Sequence, residues 1–238
     1  MADQITSTTL LFALAGGVLP PLLWLWFWLK QDKHPEPKGV LMLTFLFGML
    51  AVVAAIFFEK GAILAARKLG IARTTGGIIS LLLVWALIEE TVKYLAARFA
   101  ALKRKSFDEP VDALIYLITA ALGFAALENV FFLLRAFDVG MMSGLTTTNL
   151  RFFGATLLHI ATSGIVGASI AFSFFHRENM KRNIMGGLAV ATILHFIFNY
   201  SIILNNGESM LKVFIPLWAV IILVLFVFKK VKTIKNEG

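Results

Sequence analysis

The sequence predicts an all-α fold, a polytopic transmembrane helical bundle of about seven spans. Three observations predict it. Of 238 residues, 59% are hydrophobic. Only 15% are charged, against about 25% in an ordinary soluble domain. The apolar residues fall in long runs, each near the roughly 20 residues a bilayer-spanning helix needs. Mean hydropathy is +0.84, more apolar surface than a soluble globule of this length can bury. Disordered, collagenous and nucleic-acid-binding classes are excluded on the same grounds.

In chain order, the expected spans are Leu10 to Leu29, Gly39 to Phe58, Gly76 to Ala97, Ala113 to Leu134, Phe152 to Phe175, Ile184 to Leu204 and Val213 to Phe228. The first is no cleaved leader, because only Asp3 precedes it where a basic segment is required. Trp24, Trp26 and Trp28, followed by Lys30, read as an interfacial anchor at its end. No internal repeat and no composition break divides the chain, so residues 1–238 are expected to form one integral-membrane domain. The residues after the last span are expected to fray.

The net charge of +8 reports topology before it reports a partner. Lys30, Lys33 and Lys38 follow the first span, and Arg98, Lys103, Arg104 and Lys105 the third. Arg177, Lys181 and Arg182 follow the fifth, and Lys229, Lys230, Lys232 and Lys235 the last. The loops between carry only Arg135, Arg151 and Lys212 after spans four and six. The positive-inside rule therefore places the amino terminus outside and the carboxy terminus in the cytoplasm of a multi-pass cell-membrane protein. One loop objects: Lys60, Arg67, Lys68 and Arg73 follow span two, on the outer side. Residues 61–72 mix apolar and basic residues at helical spacing, as an amphipathic helix on the membrane surface does. The alternative is an altered span count there. Membrane lipids are partners in either case. No nucleic-acid partner is expected.

The informative residues are the charges inside spans, each costing about 2.5 to 3.5 kcal/mol at the bilayer centre. Span three carries Glu89, Glu90 and Lys93; span four carries Glu128 and Asn129; span five carries His159; span six carries His195 and Asn199. Such a set is tolerable only if it converges on one buried polar site. Glu89 and Lys93 share a helix face at i,i+4, as do His159 with Ser163 and His195 with Asn199. Glu90 points about 100° from Glu89. One carboxylate can then face a cavity while the other takes a structural partner. Ser163 is placed to orient His159. Spans one, two and seven contribute no acid or His to the set.

Two chemistries fit. In the first, Glu89 or Glu90 acts as general base on a water, a His assists, and His195 with Asn199 donates to the developing oxyanion. In the second, Glu90, Glu128, His159 and His195 hold a divalent metal, Zn²⁺ by ligand type, that activates the water. Lys93 and Asn129 support either site. No cysteine exists to supply thiolate ligands or a nucleophile, and no HExxH motif occurs. The residues do not choose between the two, and no cofactor is required by them.

At these residues the sequence resembles the PrsW family of integral-membrane proteases, within the superfamily of the CAAX prenyl endopeptidases. Glu89 to Lys93 (EETVK) resembles the family's EExxK motif, and Phe124 to Asn129 (FAALEN) its FxxxE motif with a following Asn. His159 resembles the third motif, and His195 to Asn199 the final HxxxN. Asp32 with Pro35-Glu36-Pro37 resembles the D-x-x-PEP loop. The resemblance implies hydrolysis of a peptide bond in a single-span membrane protein, such as an anti-sigma factor. It also implies Glu89 and Glu90 as paired catalytic acids. Independently of the resemblance, at about 1.5 Å per residue Glu128, His159 and His195 each lie about 10 to 15 Å from the outer end of their span, so the site is expected to open toward the outside. Glu128 stands where the CAAX endopeptidases carry a His. Relatives of both glutamic type and metal-dependent type leave the mechanism open. Two other readings use the same residues: a proton- or ion-coupled transporter or channel, and a catalytically inactive immunity or binding protein on this scaffold.

Overall fold

The computed structural model describes residues 6–205 and 210–234. Asp3 and Lys235, used above for topology, lie outside the described residues, as do the last residues expected to fray. The helices are α1 (Ser7–Leu29), α2 (Lys38–Lys68), α3 (Thr75–Ala97), α4 (Pro110–Val139), α5 (Met141–Leu150), α6 (Thr156–Ala171), α7 (Met180–Leu204) and α8 (Met210–Val231). Among the described residues no strand occurs. Six segments are long and apolar enough to cross a membrane: α1, α2, α4, Met141–Ala171, Arg177–Leu204 and α8. The remaining expected span, α3, is a 23-residue helix carrying Glu89, Glu90 and Lys93. It packs within the bundle against α2, α4 and α7.

α4 is the axis. Apolar on every face, it is buried without interruption from Pro110 to Ala126, as a helix with no polar stripe must be. α1, α2 and α6 pack around it. Lipid offers no hydrophobic gain for helix association, so close backbone approach does that work. A Cβ on Gly48 would sit 2.0 Å from the Ala120 carbonyl oxygen, and one on Gly123 2.0 Å from that of Phe45. α2 and α4 therefore cross backbone to backbone. Pro110 and the Asp112 carboxylate start α4. Asp112 accepts from the backbone N–H groups of Asp108 (3.0 Å) and Glu109 (2.7 Å).

The α1–α2 loop is fastened to this same end of α4. Tyr116 donates its hydroxyl to Glu36 and lies 2.9 Å from Ser106 Oγ. Asp32, Glu36 and Asp112 bring their carboxylates within 4.8 Å of one another. The D-x-x-PEP segment is thus a structural tie between α1, α2 and α4. Burial pushes the Glu36 carboxyl above its ordinary value, and the Tyr116 hydrogen bond opposes that shift.

The structure departs from the expected elements at three places. The surface helix expected over residues 61–72 is the end of α2, which runs unbroken for 31 residues, about 46 Å. It stops at Gly70, whose φ of 72° only glycine adopts at no cost. The fifth span begins at Met141, not Phe152. The polar run Thr146 to Asn149 reads as loop, but these side chains bond back onto their own helix. Thr148 donates to the Gly144 carbonyl (2.9 Å) and Asn149 to that of Leu145 (3.1 Å). Arg151 consequently lies inside the helix, at a π-helical turn over Arg151–Ala155. Finally, Trp28 is no interfacial anchor: it is buried against Phe228. Trp26 is the exposed one, with the Lys30 ammonium 3.7 Å above its ring.

Candidate active site

The intramembrane polar residues do come together. α3 supplies Glu89, Glu90 and Lys93, α4 supplies Glu128 and Asn129, α6 supplies His159, and α7 supplies His195 and Asn199. All but Glu90, Lys93 and Asn129 line one cavity of about 620 Å³. Its apolar wall includes Val52, Ala55 and Ile56 of α2 and Phe124 of α4.

Glu90 and Glu89 divide their work as the 100° offset allows. Glu90 is buried and turned away from the cavity. Its Oε1 accepts from Lys93 Nζ (2.7 Å) and from His195 Nδ1 (2.6 Å). Although Glu89 shares a helix face with Lys93 at i,i+4, the ion pair of Lys93 is made with Glu90, at i,i+3. Lys93 is 0% exposed, so its charge is held entirely by buried partners. Glu89 faces the cavity. Its Oε2 is buried, accepts no hydrogen bond, and lies 3.8 Å from His195 Nε2.

Proton positions follow from the partners. An ammonium only donates, so Lys93 Nζ donates to His159 Nδ1 (3.0 Å). The remaining His159 proton then sits on Nε2 and is donated to Glu128 Oε2 (3.1 Å). Ser163, expected to orient this ring, is displaced from that role by Lys93 and Glu128. A carboxylate only accepts, so His195 donates from Nδ1 to Glu90 and presents the Nε2 lone pair to the cavity. In this tautomer His195 is an acceptor or a ligand, not the oxyanion donor that its pairing with Asn199 suggested. Asn199 lines the cavity one turn along α7. Its amide remains the donor of that pair.

Two residues were missed by the sequence reading. Arg151, counted above as a loop charge, donates to both Glu128 and Asn129 and lies 4.1 Å over the Phe132 ring. Asn129 in turn donates to Thr156 Oγ1 (3.2 Å). Arg151 thus holds the Glu128 carboxylate in place from a π-helical turn, a distortion frequent at functional sites. Glu59, one residue beyond the expected end of span two, lines the same cavity from α2. Span two therefore does contribute an acid.

Glu89, His159 and His195 each offer a ligand atom, all within 4.8 Å of one another. The expected metal set took one of the paired glutamates, Glu90, together with Glu128; the geometry offers Glu89 instead, and leaves Glu128 outside the trio, engaged by Arg151 and His159. Two imidazoles and a carboxylate are a zinc donor set with an open position for water. The orphaned Glu89 oxygen and the Glu90 carboxylate behind His195 fit that use, the latter as the usual outer partner of a ligating His. His159 fits once Lys93 passes a proton to its Nδ1 and the Nε2 proton leaves to Glu128, which keeps the ring a neutral imidazole with a lone pair on Nε2.

A family profile described as PrsW family intramembrane metalloprotease matches residues 36–228. The chain is 27% identical over 208 residues to the Protease PrsW of Geobacillus kaustophilus, covering 86% of this chain and 87% of that one. It is 25% identical over 207 residues to the Protease PrsW of Oceanobacillus iheyensis, covering 87% and 89%. With the Protease PrsW of Clostridioides difficile it shares 26% over 223 residues, covering 91% and 85%. No solved structure matches the chain.

Proposed function

The chain belongs to the PrsW family of intramembrane metalloproteases, and from that membership we propose that it cuts a peptide bond of a single-span membrane protein at the cluster of Glu89, His159 and His195. The observation that carries this reading is the cavity-facing trio itself. Three potential ligand atoms lie within 4.8 Å of one another, in a buried pocket on separate helices. A divalent ion there supplies a water of lowered pKa and polarises the scissile carbonyl. The chain's own groups do the rest. Glu89 would hold the ion through one carboxylate oxygen and take the water proton on the other. Glu90, fixed by Lys93, holds His195 with Nε2 toward the cavity. Asn199 offers an amide donor to the carbonyl oxygen as negative charge develops on it. Glu128, pinned by Arg151, would receive the Nε2 proton of His159 as Lys93 gives one to Nδ1, so that the ring stays neutral.

The substrate class follows the family resemblance: a membrane-anchored protein such as an anti-sigma factor. A sideways approach from lipid supports it. An apolar groove between α5 and α8, about 700 Å³, shares Leu150 and Phe214 with the catalytic cavity. We also propose that the amino terminus faces outward and the carboxy terminus the cytoplasm, on the distribution of Lys and Arg. A single cysteine introduced at Ser7 of this cysteine-free chain tests this with a membrane-impermeant thiol reagent. Labelling of intact cells is the expected result, and labelling only after lysis contradicts it.

One observation favours a metal-free variant. With Lys93 donating to His159, that ring has no lone pair for a metal. Glu89 then activates water directly, with His195 Nε2 as acceptor. Metal analysis of the purified protein decides. About one zinc-like ion per chain is expected, with cleavage lost on chelation and restored by Zn²⁺. Full cleavage by metal-free protein would leave the glutamic reading in its place.

A further inference from the structure

The ionisable groups lining the catalytic cavity are Glu59, Glu89, Glu128, Arg151, His159 and His195. Five of them face one another. Arg151 and His159 engage Glu128, and His195 lies beside Glu89. Glu59 is different. Among the described residues it makes no hydrogen bond and no ion pair, although it is half-buried in the cavity wall.

Its level in the bundle is fixed by the α2–α4 crossing. Glu36, just before the start of α2, bonds Tyr116 near the start of α4, so the two helices run parallel, and they cross where Phe45 meets Gly123 and Gly48 meets Ala120. Glu59 lies 11 residues beyond Gly48, about 17 Å, and Glu128 lies five beyond Gly123, about 8 Å. Glu59 is therefore about 9 Å nearer their shared end, at the mouth of the cavity. The aromatic rings of Trp85, Phe131 and Phe132 line the same cavity. Trp85 Nε1 is a buried donor without a partner. A free carboxylate among aromatic faces is the combination that receives an organic cation.

We propose that Glu59 sets substrate specificity by taking a Lys or Arg side chain of the cleaved protein. This rests on the protease reading above. An extended peptide advances about 3.3 Å per residue. A 9 Å offset then places the basic residue within about three positions of the cut. Glu59 touches the substrate side chain and takes no part in bond cleavage.

The test uses the full-length protein in liposomes with three single-span substrates. They differ only in carrying Lys, Gln or Glu within three residues of the cut. The readout is the ratio of kcat/KM values for the Lys and Gln substrates. The native chain is expected to favour Lys by about tenfold, the worth of one charge-assisted contact, with the difference in KM. Glu59→Asp keeps a preference. Glu59→Gln brings the ratio to about one, and Glu59→Lys turns the preference toward Glu. An unchanged ratio in Glu59→Gln overturns the proposal. So does a native chain that cleaves all three equally. A native chain that cleaves none overturns the protease reading itself, and the specificity proposal with it.

Discussion

Glu89→Gln is expected to lower the rate of substrate cleavage about 10²- to 10⁴-fold, the range a positioned acid–base group supplies. The variant should remain folded. Glu89 accepts no hydrogen bond through its buried Oε2 and faces open cavity, so the amide leaves no partner stranded. Removing an uncompensated buried charge is neutral or favourable. Thermal stability of the metal-free protein should therefore stay level or rise while activity falls, the usual trade at a functional site. Single-turnover cleavage beside a melting curve checks both halves. Native-like rates would remove Glu89 from the chemistry. A collapse in stability would make it structural.

Lys93→Met should show the opposite pattern. Lys93 is 0% exposed and holds two buried partners, Glu90 and His159. Its loss strands the Glu90 carboxylate, which is itself 1% exposed. Breaking a buried pair from one side costs about 3 to 5 kcal/mol. The double variant Lys93→Met with Glu90→Gln should recover much of that, because no charge is then left unpaired. Denaturant-induced unfolding in mixed micelles measures it. A loss under about 1 kcal/mol in the single variant would mean that the pair is already neutral, as a proton shared within it would make it.

Much of the site was legible because ionisable residues are expensive in lipid. Glu89, Glu90, Lys93, Glu128, His159 and His195 stand out against an apolar background, and that cost requires them to meet. Which carboxylate faces the cavity was not legible. The 100° offset separates Glu89 from Glu90, but only the position of α7 decides that His195 lies behind Glu90. Lys93 likewise satisfies i,i+3 and i,i+4 equally in sequence. Arg151 and Glu59 were missed for one reason: both sit near span ends, where a charge reads as loop. Arg151 is drawn in because Thr148 and Asn149 bond back to the helix and let it continue. Glu59 is drawn in because α2 runs on to Lys68. A pattern of apolar residues continuing past Lys60, at Ile63, Leu64 and Ala66, was the available signal.

The most direct test is mass spectrometry of a single-span substrate incubated in liposomes with the purified chain and, in parallel, with His195→Ala. The expected result is two fragments from the native chain, with new termini inside the membrane segment, and intact substrate from the variant. Equal cleavage by His195→Ala, or fragments cut only in the water-exposed part of the substrate, would contradict a hydrolytic centre at this buried cluster.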